Sequence, residues 1–391
     1  MTRLLVSLYG FAFLNKFLLL TPVYTIFMLN NGVSDFMLST MFIISAAGTI
    51  LGQVPVAYLT NRMGQRRAMI FGQFLKVFAV LLWLFMPTLT GFIVGMFLWG
   101  IQAGFRSVAF EGLVYDAVAS RGMAHDYPRI LGRKSTYESI GTALSAFGSL
   151  LMFLGYDWVT WASVMAILLS IICLMSVPYR PNMTRSAASQ PRFYKLLRTG
   201  VRVALHTPCL VTTVLLALFA ANIPYLDDFL SPIGIQLGIP ETYVGAISLF
   251  LLACATLGQR FAYKFSNLSD RFIYAMIGLV GICYLIFSHL YTVHYLWLMG
   301  IAYAAFYGVY TLLFARVQHM TPARHRSVVL SLYTVVNYLI YMAVCGIVGL
   351  GSMLGSWRFS IMILGILMVL LCVYGALYVR GRCCMLSDTD L

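Results

Sequence analysis

Twelve times along its 391 residues the chain runs for about 20 or more mostly apolar residues, the length an α-helix needs to cross the hydrocarbon core of a bilayer. The runs cover 4–29, 36–60, 68–88, 91–117, 135–156, 158–178, 208–234, 241–263, 271–291, 293–317, 327–350 and 357–380. Composition supports the same conclusion, since 61% of the residues are hydrophobic and 10% charged. Soluble domains carry about 45–50% apolar and about 25% charged residues. A soluble enzyme of this size is therefore excluded, and the surface must face lipid. The first run is not a cleavable signal, because it lacks a small-residue cleavage site and outlasts a signal core.

The charges then orient the spans. Lys and Arg number 26 against 12 Asp and Glu, a formal net charge of +14. They lie in short tracts between apolar runs instead of on one polar surface, which argues against nucleic acid as a partner. With the N-terminus inside, the inner segments hold Arg3, Arg62, Arg66, Arg67, Arg121, Arg129, Arg133 and Lys134. They also hold the basic residues of 180–202, Lys264, Arg271, Arg324, Arg326, Arg380 and Arg382. The outer loops (30–35, 89–90, 157, 235–240, 292 and 351–356) hold none. The positive-inside rule thus places both termini in the cytoplasm.

The longest polar stretch splits the runs six and six. The expected organisation is an N-terminal six-helix bundle over 1–178, a cytoplasmic linker over 179–207, a C-terminal bundle over 208–380 and a cytoplasmic tail over 381–391. Within the linker, Arg192 to Leu205 alternates basic and apolar residues and suits a helix lying on the inner leaflet. The halves also echo each other at an offset of 206 residues. Gly32-Val33-Ser34-Asp35 falls on Gly238-Ile239-Pro240-Glu241, and Leu51-Gly52-Gln53 on Leu257-Gly258-Gln259. The eight cysteines show no metal-ligand spacing, so free thiols and no metal centre are expected.

Between the second and third runs stands Ala57-Tyr58-Leu59-Thr60-Asn61-Arg62-Met63-Gly64-Gln65-Arg66. This segment resembles the signature of the major facilitator superfamily, approximately Gly-x-Leu-Ala-Asp-Arg-x-Gly-Arg-Lys, with Leu59, Arg62, Gly64 and Arg66 matching. Ala57 and Asn61 replace the family's Gly and Asp. A degenerate echo follows at Asn267 to Arg271, and Phe105 to Asp116 and Arg326 to Leu332 look like the family's fourth and eleventh helices. The resemblance implies an all-α membrane protein of twelve transmembrane helices in two pseudo-symmetric six-helix bundles, working by alternating access and needing no cofactor. It also implies that spans 1, 4, 7 and 10 line a central cavity, and that Asn61, Arg62, Gly64, Arg66, Asp116 and Arg326 gate its inner side. Two signals common among the family's drug–proton antiporters are missing: Met96 stands where they carry Arg, and small residues from Gly141 to Gly148 replace a Gly-Pro pair.

An ionisable side chain at bilayer depth costs at least about 2.5–3.5 kcal/mol on insertion scales, so each one needs a reason. The candidates for proton coupling are Glu111, Asp227 and Asp228. Adjacent carboxylates repel each other's charge, which suits Asp227 and Asp228 to holding and releasing a proton. One is expected to face the cavity and the other a neighbouring helix, or the pair forms an outer gate. Pro224 just before them can open the helical hydrogen-bond ladder. Along one helix, Arg106, Glu111 and Asp116 point successively about 140° apart and cannot share one face. Glu111 can titrate or pair with Arg326 or Arg106. Asp116 is expected to cap a helix or pair with the Arg62/Arg66 loop.

The candidate substrate-binding residues are Lys16, Arg106, Asn222, Tyr303, Phe306, Tyr307 and Tyr310. Lys16 falls on Asn222 under the repeat, and Arg106 can hold an anion or close an internal ion pair. The tyrosines form a stripe on span 10 that reads as packing or as an aromatic wall for an organic ligand. Lys76, about 12 Å from the inner end of span 3, is expected to snorkel. No Gly-x-x-x-x-Gly-Lys loop is present, which argues against direct use of ATP. The expected function is secondary transport of a small organic solute by a monomer in a bacterial inner membrane. Proton-coupled efflux of an amphipathic or anionic compound leads; import of a metabolite or metal chelate, and a non-transporting sensor, are the alternatives. Protons or another coupling ion, the solute and the lipid bilayer are the expected partners.

Overall fold

In the computed structural model, residues 2–121, 124–177, 208–262, 264, 270–321 and 326–378 are described. The expected linker and C-terminal tail lie outside this set, as do the side chains of Asn61, Glu111 and Arg326. All regular structure among the described residues is helical. The chain divides into two compact units: Met1–Gln190 with Pro240–Leu249, and Pro191–Ile239 with Phe250–Leu391.

The first unit contains α1 (Thr2–Lys16), α2 (Tyr24–Asn30), α3 (Asp35–Met63), α4 (Gln65–Phe85), α5 (Leu89–Ala119), α6 (Tyr127–Ser145) and α7 (Tyr156–Ser176). Ser34 and Thr88 start α3 and α5 by accepting the backbone N–H of Met37 and Gly91, both at 3.3 Å. A single residue, Gly64, turns α3 into α4 at φ +83° and ψ 155°, a conformation open to glycine alone. The motif's glycine is thus explained by the backbone. Leu8, Phe11, Met69, Phe105, Phe110 and Leu113 form the centre of this unit's apolar core. Segment Pro240–Leu249 joins it through Glu241, whose carboxylate accepts Asn30 Nδ2 at 3.1 Å and Tyr156 Oη at 2.9 Å.

The second unit contains α8 (Pro208–Asn222), α9 (Leu230–Gln236), most of α10 (Val244–Ala262), α11 (Asp270–Leu290), α12 (Leu296–Met320), α13 (Arg326–Ser352) and α14 (Trp357–Tyr378). Its buried centre includes Leu226, Phe229, Tyr284, Phe287, Tyr303 and Trp357. Gln236 Oε1 fastens the end of α9 by accepting Tyr291 Oη, Ser356 Oγ and Trp357 N at 3.0–3.1 Å.

Ten segments among the described residues are long and apolar enough to cross a membrane. The other two expected spans depart for physical reasons. The fifth, α6, starts at Tyr127, eight residues ahead of its apolar run, with Pro128 in its first turn, and so includes Arg129, Arg133, Lys134 and Glu138. The first is broken between α1 and α2 by a run of turns through Phe17–Val23 that contains Pro22. The seventh is broken in the same way between α8 and α9, around Pro224. Lys16 ends α1 and Asn222 ends α8, so the residues paired by the 206-residue offset are the last before each break.

Candidate functional site

A broken helix in lipid leaves backbone groups that the protein itself must satisfy. In the first unit Asn15 O, which an unbroken helix would give to the N–H of Leu19, accepts Lys76 Nζ at 2.9 Å. The same amine donates to Asn15 Oδ1 at 3.0 Å, which also accepts Gln73 Nε2 at 3.2 Å, and Ser170 Oγ donates to Gln73 Oε1 at 3.4 Å. Within the break Leu20 N donates to Ser163 Oγ at 2.9 Å. Lys76 is 4% exposed and stands 5.0 Å from the ring centre of Trp99. The expectation of snorkelling is therefore corrected. The broken helix offers a carbonyl nearer than the interface, and the amine takes it. Gly141 on α6 and Gly148 after it allow close approach to α1 and to the broken stretch, because a Cβ on them would collide with Phe13 O and Leu19 O respectively.

Nearby, α5 carries Arg106. Its Nη1 lies 3.8 Å from Glu138 Oε1, while Lys134, one turn before Glu138 on α6, lies 3.0 Å from Oε2. Lys134 Nζ also stands 5.3 Å from the ring centre of Phe110, which shares a face of α5 with Arg106. Arg106 thus has an acidic neighbour at ion-pair distance. Two cations around one carboxylate leave this cluster positive. Lys16 is half-buried at the end of α1, and Tyr9 stacks on Tyr137 at 5.0 Å.

The second unit places an acidic pair in its break. Asp227 and Asp228 occupy a short 3-10 turn ahead of α9, where carboxylates also complement a helix N-terminus. Each accepts a phenol from a different helix: Tyr307 Oη on α12 reaches Asp227 Oδ2 at 2.8 Å, and Tyr341 Oη on α13 reaches Asp228 Oδ2 at 2.7 Å. The break's own carbonyl, Pro224 O, accepts Tyr284 Oη of α11 at 2.6 Å. Asn222, buried, donates to Leu218 O at 2.8 Å and to Asn337 Oδ1 of α13 at 2.9 Å.

The span 10 stripe divides in two. Tyr303 and Phe306 are buried, whereas Tyr307 and Tyr310 are half-buried. The ring centres of Phe306 and Tyr307 are 4.4 Å apart, those of Tyr303 and Tyr307 6.0 Å, and Tyr310 stacks on Phe314. Among the described residues no three His, Cys, Asp or Glu come together as a metal would require.

Of the expected gate residues, Gly64 forms the α3–α4 turn, Arg66 Nη1 donates to Val177 O at 3.1 Å beyond the end of α7, and the exposed Arg62 reaches Tyr58 Oη at 3.5 Å. Asp116 is half-buried on α5. The side chains of Asn61, Glu111 and Arg326 lie outside the described set. Glu138, Tyr284, Tyr341, Asn337, Asn15 and Gln73 were not singled out from the sequence as site residues. Lys134 and Glu138 did leave a signal, an i, i+4 pair across the start of the fifth apolar run. The tyrosines left none, being two among 24.

The sequence matches the profile of the Major Facilitator Superfamily over residues 5–345. No curated protein matches it significantly. Among solved structures, the inward-open xylose transporter XylE from E. coli has a TM-score of 0.71 at 14% identity, covering 97% of each chain. The nucleoside transporter NupG gives 0.73 at 12%, covering 95% of this chain and 98% of that one. An auto-inhibited POT-family peptide transporter gives 0.72 at 14%, covering 100% and 99%. At such identities the likeness is one of fold.

Proposed function

We propose that this chain, which belongs to the major facilitator superfamily of alternating-access secondary transporters, uses a proton gradient to export an amphipathic organic solute. Family membership makes it a membrane transporter and not an enzyme. The finer reading places it as a monomer in a bacterial inner membrane with both termini cytoplasmic, in bundles of residues 1–178 and 208–380 joined by the 179–207 linker.

The observation that carries the reading is the acid pair in a broken spanning helix, each member bonded to a phenol. An ionised carboxylate only accepts hydrogen bonds, whereas a protonated one must also donate. Protonation of Asp227 or Asp228 therefore weakens its bond to Tyr307 or Tyr341 by removing the charge, and reverses it where the proton sits on the bonded Oδ2. It changes the tie between the helical break and α12 or α13. Proton arrival becomes a change in how three helical segments are held, which is what coupling requires. Glu111 is the further coupling candidate. In the first unit, the positive Arg106–Lys134–Glu138 cluster and Lys16 offer counter-charge to an anionic group of the solute. Asn222 and the half-buried Tyr307 and Tyr310 supply polar and aromatic contacts, with Tyr303 and Phe306 backing them. Asn61, Arg62, Gly64, Arg66, Asp116 and Arg326 remain the proposed gate.

The test is flux in proteoliposomes under an imposed pH gradient, for a panel of labelled organic solutes. Solute movement opposite to the proton flow, abolished by dissipating the gradient, is the expected result. Movement together with protons would make the protein an importer, and no gradient-driven movement of any solute would favour a sensor.

A further inference from the structure

One described helix belongs to neither unit alone. Residues 244–249 of α10 group with the first unit and 250–262 with the second. What holds its beginning in the first unit is a closed ring of three side chains. Asn30, ending α2, donates from Nδ2 to Glu241 Oε1 and to Tyr156 Oη, both at 3.1 Å. Tyr156, starting α7, donates its own proton to Glu241 Oε2 at 2.9 Å. Every hydrogen that Asn30 and Tyr156 side chains can donate is thus used, and both carboxylate oxygens are taken. Among the described residues no cation pairs with Glu241. Beside the ring, Gly245 N lies in the first turn of α10, where helices leave N–H groups free, and donates to the buried Ser149 Oγ at 3.1 Å. Ser149 belongs to the run of 3-10 turns over 146–154 that joins α6 to α7. A Cβ on Gly245 would collide with Ala146 O in that run, just as one on Gly148 would collide with Leu19 O in the first span's break.

We propose that Glu241, Asn30, Tyr156, Ser149 and Gly245 form a latch that ties α10 to the first unit, at the end of the spans away from Gly64, and that it opens once in each transport cycle. A helix divided between two units takes up any movement of one against the other. The bonds at its beginning are therefore the ones that such movement must break. Hydrogen bonds to an ionised carboxylate are roughly twice as strong as neutral ones, so the ring holds the latched state firmly. Water can replace both donors once α10 moves away, so the state is not permanent. Glu241 is a positioning residue: it sets how often this end opens and touches no solute. The 206-residue offset supplies a contrast. Asp35 starts α3 at the position matching Glu241, is half-buried, and its carboxylate makes no hydrogen bond among the described residues. The latch is thus a device of one half and not a repeated one. The inference rests on alternating access alone, and holds for an exporter or an importer.

Val244, 0% exposed in the first turn of α10, supplies the probe. The full-length Val244→Cys protein in nanodiscs is treated with a water-soluble maleimide, and the labelling rate of each cysteine is read by peptide mass spectrometry. Native Cys283 and Cys345, buried in the second unit, report unfolding in the same sample. Adding Glu241→Gln sets an amide N–H against a donor, so one of the two bonds to residue 241 is lost. Labelling at position 244 should rise at least about tenfold, equivalent to about 1.4 kcal/mol, with Cys283 and Cys345 unchanged. Tyr156→Phe removes one donor and should raise it about threefold, which keeps the test open if the Gln variant fails to fold. Asp35→Asn should leave the rate unchanged. Equal rates at position 244 in all variants, a rise shared by Cys283 and Cys345 in both latch variants, or the same rise in Asp35→Asn would overturn the proposal. No solute or gradient enters this measurement, so absence of driven flux would remove the exporter and leave the latch, while unchanged labelling beside driven flux does the reverse.

Discussion

The two units solve one structural problem with opposite chemistry. Each interrupts its first spanning helix, after Lys16 in one and after Asn222 in the other, and each closes the interruption from its third span. In the first unit the closing group is the amine of Lys76 on Asn15 O; in the second it is the phenol of Tyr284 on Pro224 O. The surroundings differ to match. Lys76 shares the first unit with Arg106 and Lys134, both of which pair with Glu138, while the break of the second unit carries two carboxylates held by neutral phenols. The lesson is that a repeated backbone fixes where polar groups are needed, not which charge they bear. A duplicated architecture can thus place a basic region in one half and an acidic region in the other.

The largest effect that would sharpen this contrast is on coupling. Asp227→Asn combined with Asp228→Asn should lower proton-driven flux about 100-fold, about 2.7 kcal/mol. Arg106→Gln should raise KM and leave the proton-to-solute ratio unchanged. If the Arg106 variant uncouples and the double Asn variant does not, the two units have been assigned the wrong way round.

Stability comes next. Lys76→Met leaves Asn15 O and Oδ1 without their amine in a buried site and should cost about 3 kcal/mol, seen as a lower Tm in detergent. Tyr284→Phe removes one neutral bond from Pro224 O and should cost about 1 kcal/mol. Equal losses would mean that the breaks are held alike and that the difference in chemistry is incidental. A smaller change is expected from Asn337→Ala, which takes one partner from Asn222, at about 1 kcal/mol or less because Asn222 keeps its bond to Leu218 O. The smallest is Arg62→Ala, within about 0.5 kcal/mol, because its exposed contact with Tyr58 is 3.5 Å long. It should instead change the balance of accessible states, read by cysteine labelling on the two sides of the membrane.

Much of this organisation can be read from the chain before it folds. The apolar runs locate the spans, and the signature around Arg62 to Arg66 identifies the family. The 206-residue offset pairs Lys16 with Asn222, the two residues that end the interrupted half-helices. Pro224 marked one break in advance. Pro22 could have marked the other, but the run around it is apolar enough to pass for an uninterrupted helix. The boundary of α6 was missed because its first turns are polar, and periods of hydrophobicity do not report a helix whose exposed end bears Arg129 and Arg133.

Side-chain partners were the least legible. Lys76 looked like a residue that would reach for the interface, since distance along its own helix was the only geometry available. A nearer acceptor existed solely because another helix had opened beside it. Tyr341 and Tyr284 belong to helices far away in sequence, and nothing local sets them apart from the other tyrosines. The sequence alone determined that this chain spans a membrane many times, in two related halves, with a few ionisable groups at depth, because hydrophobic length and charge placement are properties of the chain itself. Tertiary structure alone decided what those groups touch: in lipid an interrupted helix must find its hydrogen bonds from whichever neighbour packs against it, and packing is settled between segments, not within them.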